Sequence, residues 1–178
     1  MQPATTDLRF PIGKHKRTEN LTPARREELI GIIAGTPQKL REALRGLSAE
    51  QLDTPYRPDG WTVRQVVHHV PDSHLNAYMR FKLALTEERP TIKPYEEDRW
   101  AELADTFSTP IEVSLTLLES LHVRWVNLLR SLPEADWQRT LLHPQNGEMT
   151  LLNVLDLYAW HGPHHVAHVT TLRERMGW

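Results

Sequence analysis

Histidine is the residue type in this chain whose placement suggests chemistry. Ten occur, and seven fall in two short windows: His68, His69 and His74 in one, and His161, His164, His165 and His168 in the other. A neutral imidazole has one donor and one acceptor nitrogen, and its lone pair is a good ligand for a divalent cation. At about 100° per residue, His161, His165 and His168 fall within about 40° of Val154, on the apolar stripe of one helix. A single buried histidine is commonly satisfied by one neighbouring hydrogen bond. Three along one stripe are harder to satisfy, because helix backbone has little spare hydrogen-bonding capacity away from water, whereas one cation accepts several lone pairs at once. His161 and His165, four apart on one face, have a known ligand spacing. Gly162 follows His161, so the His-Glu-x-x-His signature and its built-in general base are absent.

A catalytic site normally keeps three protein ligands and one open position, so a third ligand is expected from the other window. With Val63 as origin, the helical wheel puts His74 in the middle of the stripe and His68 and His69 on its margins. Pro71 between them bends the helix and weakens the calculation. Spacing alone leans towards His74 and leaves the choice open.

These windows need helices to carry them. Thr22 as N-cap with Pro23 behind it predicts a first long helix over 22–47, which Pro37 is expected to kink or break. Ser48 to Gln51 has capping-box form and opens a short extra turn. Thr62 to Gln65 is a second capping box, starting a helix that runs to Thr86 with a kink at Pro71. Residues 87–109 form the longest connection, expected to carry one short helix and cross the end of the bundle. Thr109-Pro110-Ile111-Glu112 reads as a capping box opening a helix over 110–132. Asn146-Gly147 predicts a small hairpin between Thr140 and Thr150, and the last helix spans 151–176, ended by Gly177. Residues 1–21 show no periodicity and read as an extended arm in which Phe10-Pro11-Ile12 docks on the body. The whole is an all-α four-helix bundle, one domain over 178 residues.

Composition narrows the function. A net charge of -2 gives no footprint for phosphate backbones or anionic lipid, so neither nucleic acid nor membrane is expected as a partner. The chain has no cysteine, which removes disulfides, thiolate zinc clusters and a cysteine nucleophile; any metal is held by nitrogen and oxygen. Neither a signal peptide nor a membrane span is evident, and a cytoplasmic location is expected.

Two segments carry a family resemblance. Trp61-Thr62-Val63-Arg64-Gln65-Val66-Val67-His68-His69 with Asp72-Ser73-His74, and Trp160-His161-Gly162-Pro163-His164-His165-Val166-Ala167-His168, resemble the DinB-like superfamily of metal-binding four-helix bundles. The similarity is greatest to its YfiT branch of metal-dependent hydrolases, related to the bacillithiol transferase BstA. It extends to Pro11-Ile12-Gly13, Asp53-Thr54-Pro55-Tyr56-Arg57 and Arg175-Met176-Gly177-Trp178. It implies His69, His161 and His165 as metal ligands, taking His69 over the wheel's His74. His74 and His168 then become pocket residues, His68 and His164 peripheral ones, and Asp72 the nearest candidate carboxylate or base. The resemblance also favours a homodimer, which the tryptophans and apolar helix faces allow.

Three neutral imidazoles leave a divalent ion its full charge, enough to bring bound water from pKa 15.7 towards about 7, or to ionise a coordinated thiol. The expected function is therefore metal-dependent hydrolysis of a small-molecule substrate, or S-transfer of a low-molecular-weight thiol supplied from outside. The alternative is a structural metal in a non-catalytic bundle, which calls for a fourth protein ligand. Zinc is the first expectation for the ion, with nickel also compatible with nitrogen ligands.

Overall fold

The computed structural model describes residues 7–178; of the expected N-terminal arm, residues 1–6 lie outside the described residues. Four long helices form the body: α1 (Pro23–Leu44), α3 (Val63–Thr86), α6 (Ile111–Ser131) and α7 (Leu151–Met176). The short helices α2 (Ala49–Leu52), α4 (Glu97–Trp100) and α5 (Ala104–Ser108) lie in the connections. A 3-10 turn (Glu134–Gln138) and a hairpin of β1 (Thr140–His143) and β2 (Gly147–Thr150) precede α7. Helix α1 packs against α6 and α7, and α3 packs against the same two.

Local chemistry sets most helix ends. Thr22 caps α1 by accepting from Arg25 N, Thr62 and Gln65 form the capping box of α3, and Gly177 closes α7 in the left-handed conformation at φ 73°. Thr150 and Asn153 make a further capping box at α7, one that a pattern restricted to Glu or Gln at the fourth position does not detect. The expected box at Thr109 is absent: Pro110 is itself the N-cap residue of α6 and no side chain caps that end. The crossover holds two short helices, α4 and α5, rather than one. It is tied to the hairpin by Ile92 N donating to Leu142 O at 3.0 Å and Leu142 N donating to Pro90 O at 2.9 Å.

Helix α1 is not broken at Pro37. A proline within a helix removes one N–H, which frees the carbonyl four residues back, here Ile33. That carbonyl is satisfied from another helix, by His122 Nδ1 at 2.7 Å. Helices α3 and α7 likewise run through Pro71 and Pro163.

The core is split. One apolar cluster gathers Ile33, Ala77, Phe81, Trp125, Trp137, Leu155 and Tyr158, and the other gathers Leu40, Val66, Val70, Leu118, Val169 and Leu172. On every long helix a polar segment separates the two: Thr36 on α1, Ser73 and His74 on α3, His122 on α6, and His161 to His168 on α7. Helix packing thus holds a polar layer across the bundle, sealed above and below by apolar side chains.

Candidate metal centre

Within that layer His69, His161 and His165 each offer a ring nitrogen, and the three nitrogens lie within 4.8 Å of one another. Two nitrogens bound to one zinc ion at about 2.1 Å and a tetrahedral angle stand about 3.4 Å apart. His69 Nε2 and His161 Nε2 are 3.4 Å apart, so this pair matches one shared ion, and His165 offers a ring nitrogen within 4.8 Å of both. Burial holds all three imidazoles in the neutral, ligating form: His69 is pushed down to about 4, and His161 and His165 fall well below the ordinary histidine value. Trp61, just ahead of α3, flanks the centre with its ring 4.6 Å from that of His69 and stacked at 6.4 Å on His165.

The wheel's preference for His74 is not what the structure shows. His74 is fully buried and both its nitrogens face other histidines, Nδ1 at 2.8 Å from His122 Nε2 and Nε2 at 3.2 Å from His161 Nδ1. A mid-stripe position points into the packed interior, whereas the margin position of His69 opens onto the seam between α3 and α7. His168 is also buried; its Nε2 donates to the Arg9 carbonyl at 3.2 Å and its Nδ1 lies 3.4 Å from His165 Nδ1.

His68 and His164 are not peripheral, being only 7% and 6% exposed. His68 Nδ1 lies 2.7 Å from Ser114 Oγ on α6. His164 is covered by Trp160, stacked at 4.2 Å, and by Phe10 of the arm at 6.0 Å. The arm is fastened to α7 beside His164: Asp156 accepts from the Thr18 amide and hydroxyl, both at 2.9 Å, and pairs with His15 at 3.0 Å, while Trp160 Nε1 donates to Gly13 O at 3.2 Å. Asp72, the candidate carboxylate, does not line the cavity over the centre. It is half-buried, and burial together with the negative charge of Asp105 raises its pKa to about 6.

The centre opens on a cavity of about 730 Å³, of small-molecule size. Side chains that the sequence reading passed over line it: Ser73, Tyr95 and Tyr158, with the guanidinium groups of Arg57 and Arg80. Ser73 Oγ is 3.4 Å from both Tyr158 Oη and His161 Nε2. Burial raises the pKa of both tyrosines, so at neutral pH they are hydrogen-bond donors and not bases. The Nε atoms of Arg57 and Arg80 are buried with no hydrogen-bond partner among the described residues. His122 carried a legible signal, lying on the apolar stripe of α6 between Leu118 and Trp125. Tyr158 shares the helical stripe of His161 and His165, whereas for Tyr95, Arg57 and Arg80 no spacing pattern points to the site.

A helical bundle with three neutral imidazoles converging beneath an open cavity belongs to the class of bundles able to hold a metal ion among their helices. Comparison with known proteins makes this specific. Residues 32–169 match the family model of the DinB superfamily, and the chain belongs to that family. Relatives from Bacillus mycoides and Bacillus anthracis, each 55% identical over 172 residues that cover 97% of this chain and 99% of theirs, bear the name "putative metal-dependent hydrolase". The structure of YfiT from Bacillus subtilis, described as "a probable metal-dependent hydrolase with an unusual four-helix bundle topology", superposes with a TM-score of 0.93 at 48% identity, covering 96% of this chain and 98% of that one. A second four-helix bundle, TT2238, shares the fold alone, at a TM-score of 0.54 and 20% identity. No described helix is long and apolar enough to cross a membrane.

Proposed function

We propose that the protein is a metal-dependent hydrolase in which His69, His161 and His165 hold one divalent ion, zinc first and nickel second, at the floor of the cavity. The observation that carries this reading is the placement of three neutral ring nitrogens within 4.8 Å of one another on a cavity wall. Bound there, such an ion supplies a Lewis-acidic charge that lowers the pKa of a water in its open position from 15.7 towards about 7. The protein's own contribution is positioning. Ser73 and Tyr158 place hydroxyl groups next to the His161 ring, where they are able to donate to an oxygen that gains charge in an ester or amide substrate. Trp61 and Trp160 wall the centre with apolar rings, and Arg57 and Arg80 present guanidinium groups to the substrate.

A second reading, transfer of an exogenous low-molecular-weight thiol, is favoured by the cavity's size, which has room for a thiol and an electrophile together. A thiol starts near pKa 8.5 and needs less acidification than water. The deciding experiment is a turnover screen of zinc-loaded protein on esters and amides, and on thiols paired with electrophiles, with His165→Ala as control. Thiol-independent hydrolysis lost in His165→Ala supports the hydrolase; turnover only with thiol selects the transferase. Failure of the protein to retain either zinc or nickel at stoichiometric level refutes both.

A further inference from the structure

Three histidines in the polar layer form a hydrogen-bonded line that ends at the candidate centre. His122 Nδ1 lies 2.7 Å from Ile33 O, the carbonyl that Pro37 leaves without a helical partner; His74 Nδ1 lies 2.8 Å from His122 Nε2; and His161 Nδ1 lies 3.2 Å from His74 Nε2. A carbonyl only accepts, which decides every proton in the line. His122 must donate from Nδ1, so in a neutral ring its Nε2 accepts. His74 must then donate from Nδ1 and accept at Nε2, and His161 must donate from Nδ1. What is left over on His161 is the Nε2 lone pair, the atom 3.4 Å from His69 Nε2.

We propose that His122 and His74 are positioning residues that fix His161 in the Nδ1–H tautomer and aim its bare Nε2 at the metal centre, with the Ile33 carbonyl as the anchor of the relay. The inference rests on the metal-centre reading for its purpose but not for its geometry. Its setting supports it: His74 is 0% and His122 2% exposed, Trp125 packs edge-on against both rings, and burial disfavours a positive charge on either. Metal-ligating histidines usually donate their second N–H to an acceptor that fixes tautomer and ring orientation. Here that acceptor is a neutral imidazole in place of a carboxylate, so the ligand is oriented without a negative charge being added behind it.

The test has two parts. In metal-free protein labelled with ¹⁵N-histidine at neutral pH, two-bond ¹H–¹⁵N correlations are expected to show protonated Nδ1 and bare Nε2 for His122, His74 and His161. An Nε2–H form of His161 overturns the relay whether or not the protein binds metal. The second part is zinc affinity by chelator competition. His122→Leu, which cannot accept from His74, is expected to weaken zinc binding about 10–100-fold. His122→Gln, whose Oε1 takes the place of Nε2 as acceptor, is expected to recover most of that loss. Equal zinc affinity in wild type and a folded His122→Leu overturns the proposal, as does equal weakening by Leu and Gln. If wild type binds neither zinc nor nickel, the metal reading fails while the tautomer measurement still judges the relay.

Discussion

Gly162, between two of the proposed ligands, offers a sensitive test of how helix packing sets the centre. A Cβ added there would stand 2.6 Å from Thr36 Cγ2, 2.7 Å from Thr36 Oγ1 and 3.2 Å from Thr36 Cβ, against an optimum of about 3.5–4.0 Å between carbons. Thr36 cannot swing away freely: it is 1% exposed and its hydroxyl donates to Ile32 O at 2.9 Å. Two effects of Gly162→Ala oppose each other. Helix propensity favours alanine by about 1 kcal/mol, while overpacking a filled site costs about 1–3 kcal/mol. Because two contacts fall below 3.0 Å, the clash should win by about 1 kcal/mol, lowering Tm by about 2–4 °C. Relief by pushing α1 away from α7 also shifts His161, so zinc affinity should fall with stability. Adding Thr36→Ala removes Cγ2 and Oγ1, the two closest atoms, and should restore both, which a double-mutant cycle reads as positive coupling. Thermal melts and chelator competition on the four proteins make the measurement. A Gly162→Ala protein with raised Tm and unchanged zinc affinity would refute the argument that this approach of α1 sets the ligand geometry.

Burial keeps His69 and His122 neutral down to about pH 4, whereas in the unfolded chain histidines titrate near about 6.5. Protons are therefore taken up on unfolding, and metal-free stability should be full above about pH 6.5 and fall towards pH 4 by up to about 1.4 kcal/mol per pH unit for each such ring; urea melts at pH 7.5, 5.5 and 4.5 check this, and a flat profile contradicts it. Asp156→Ala deletes the acceptor shared by His15 and Thr18, and faster proteolysis within residues 13–21 with little change in the rate of cleavage elsewhere is the expected result. Thr150→Ala should cost about 1 kcal/mol by removing the cap that accepts from Asn153 N, measured by denaturant midpoint.

Much of the scaffold was legible because helix caps are local. Thr22, Ser48, Thr62 and Gly177 each act within a few residues of themselves, and all four stand where their patterns put them. Pro37 shows where locality ends: the missing N–H is read from sequence, but the donor that serves the freed carbonyl comes from His122, distant in the chain. The burial of His68 and His164 was missed for the same reason. A wheel records the direction of a side chain on its own helix, while Ser114 on α6 and Phe10 on the arm arrive from elsewhere. The choice between His69 and His74 shows the limit most clearly: the wheel of α3 marks His74 as buried but not that its two nitrogens meet His122 and His161, while His69, at the margin of the same stripe, meets His161 and His165 from α7.

His165, like His161, has its proton placed by a backbone carbonyl acting through a second histidine. Arg9 O accepts from His168 Nε2, so a neutral His168 has its acceptor at Nδ1, 3.4 Å from His165 Nδ1. The proton between them then belongs to His165 Nδ1, and the lone pair left on His165 is at Nε2. Two rings on one helix, each anchored through other histidines to a backbone carbonyl, thus turn lone pairs and not N–H groups towards their shared neighbour His69. Without a cation, this convergence brings electron-rich nitrogens together at the floor of the cavity, where Ser73 Oγ stands 3.4 Å from His161 Nε2 and the neighbouring lone pairs repel one another. One divalent ion satisfies every lone pair at once, which is why the hydrogen bonds behind the ligands argue for metal as directly as the distances between them.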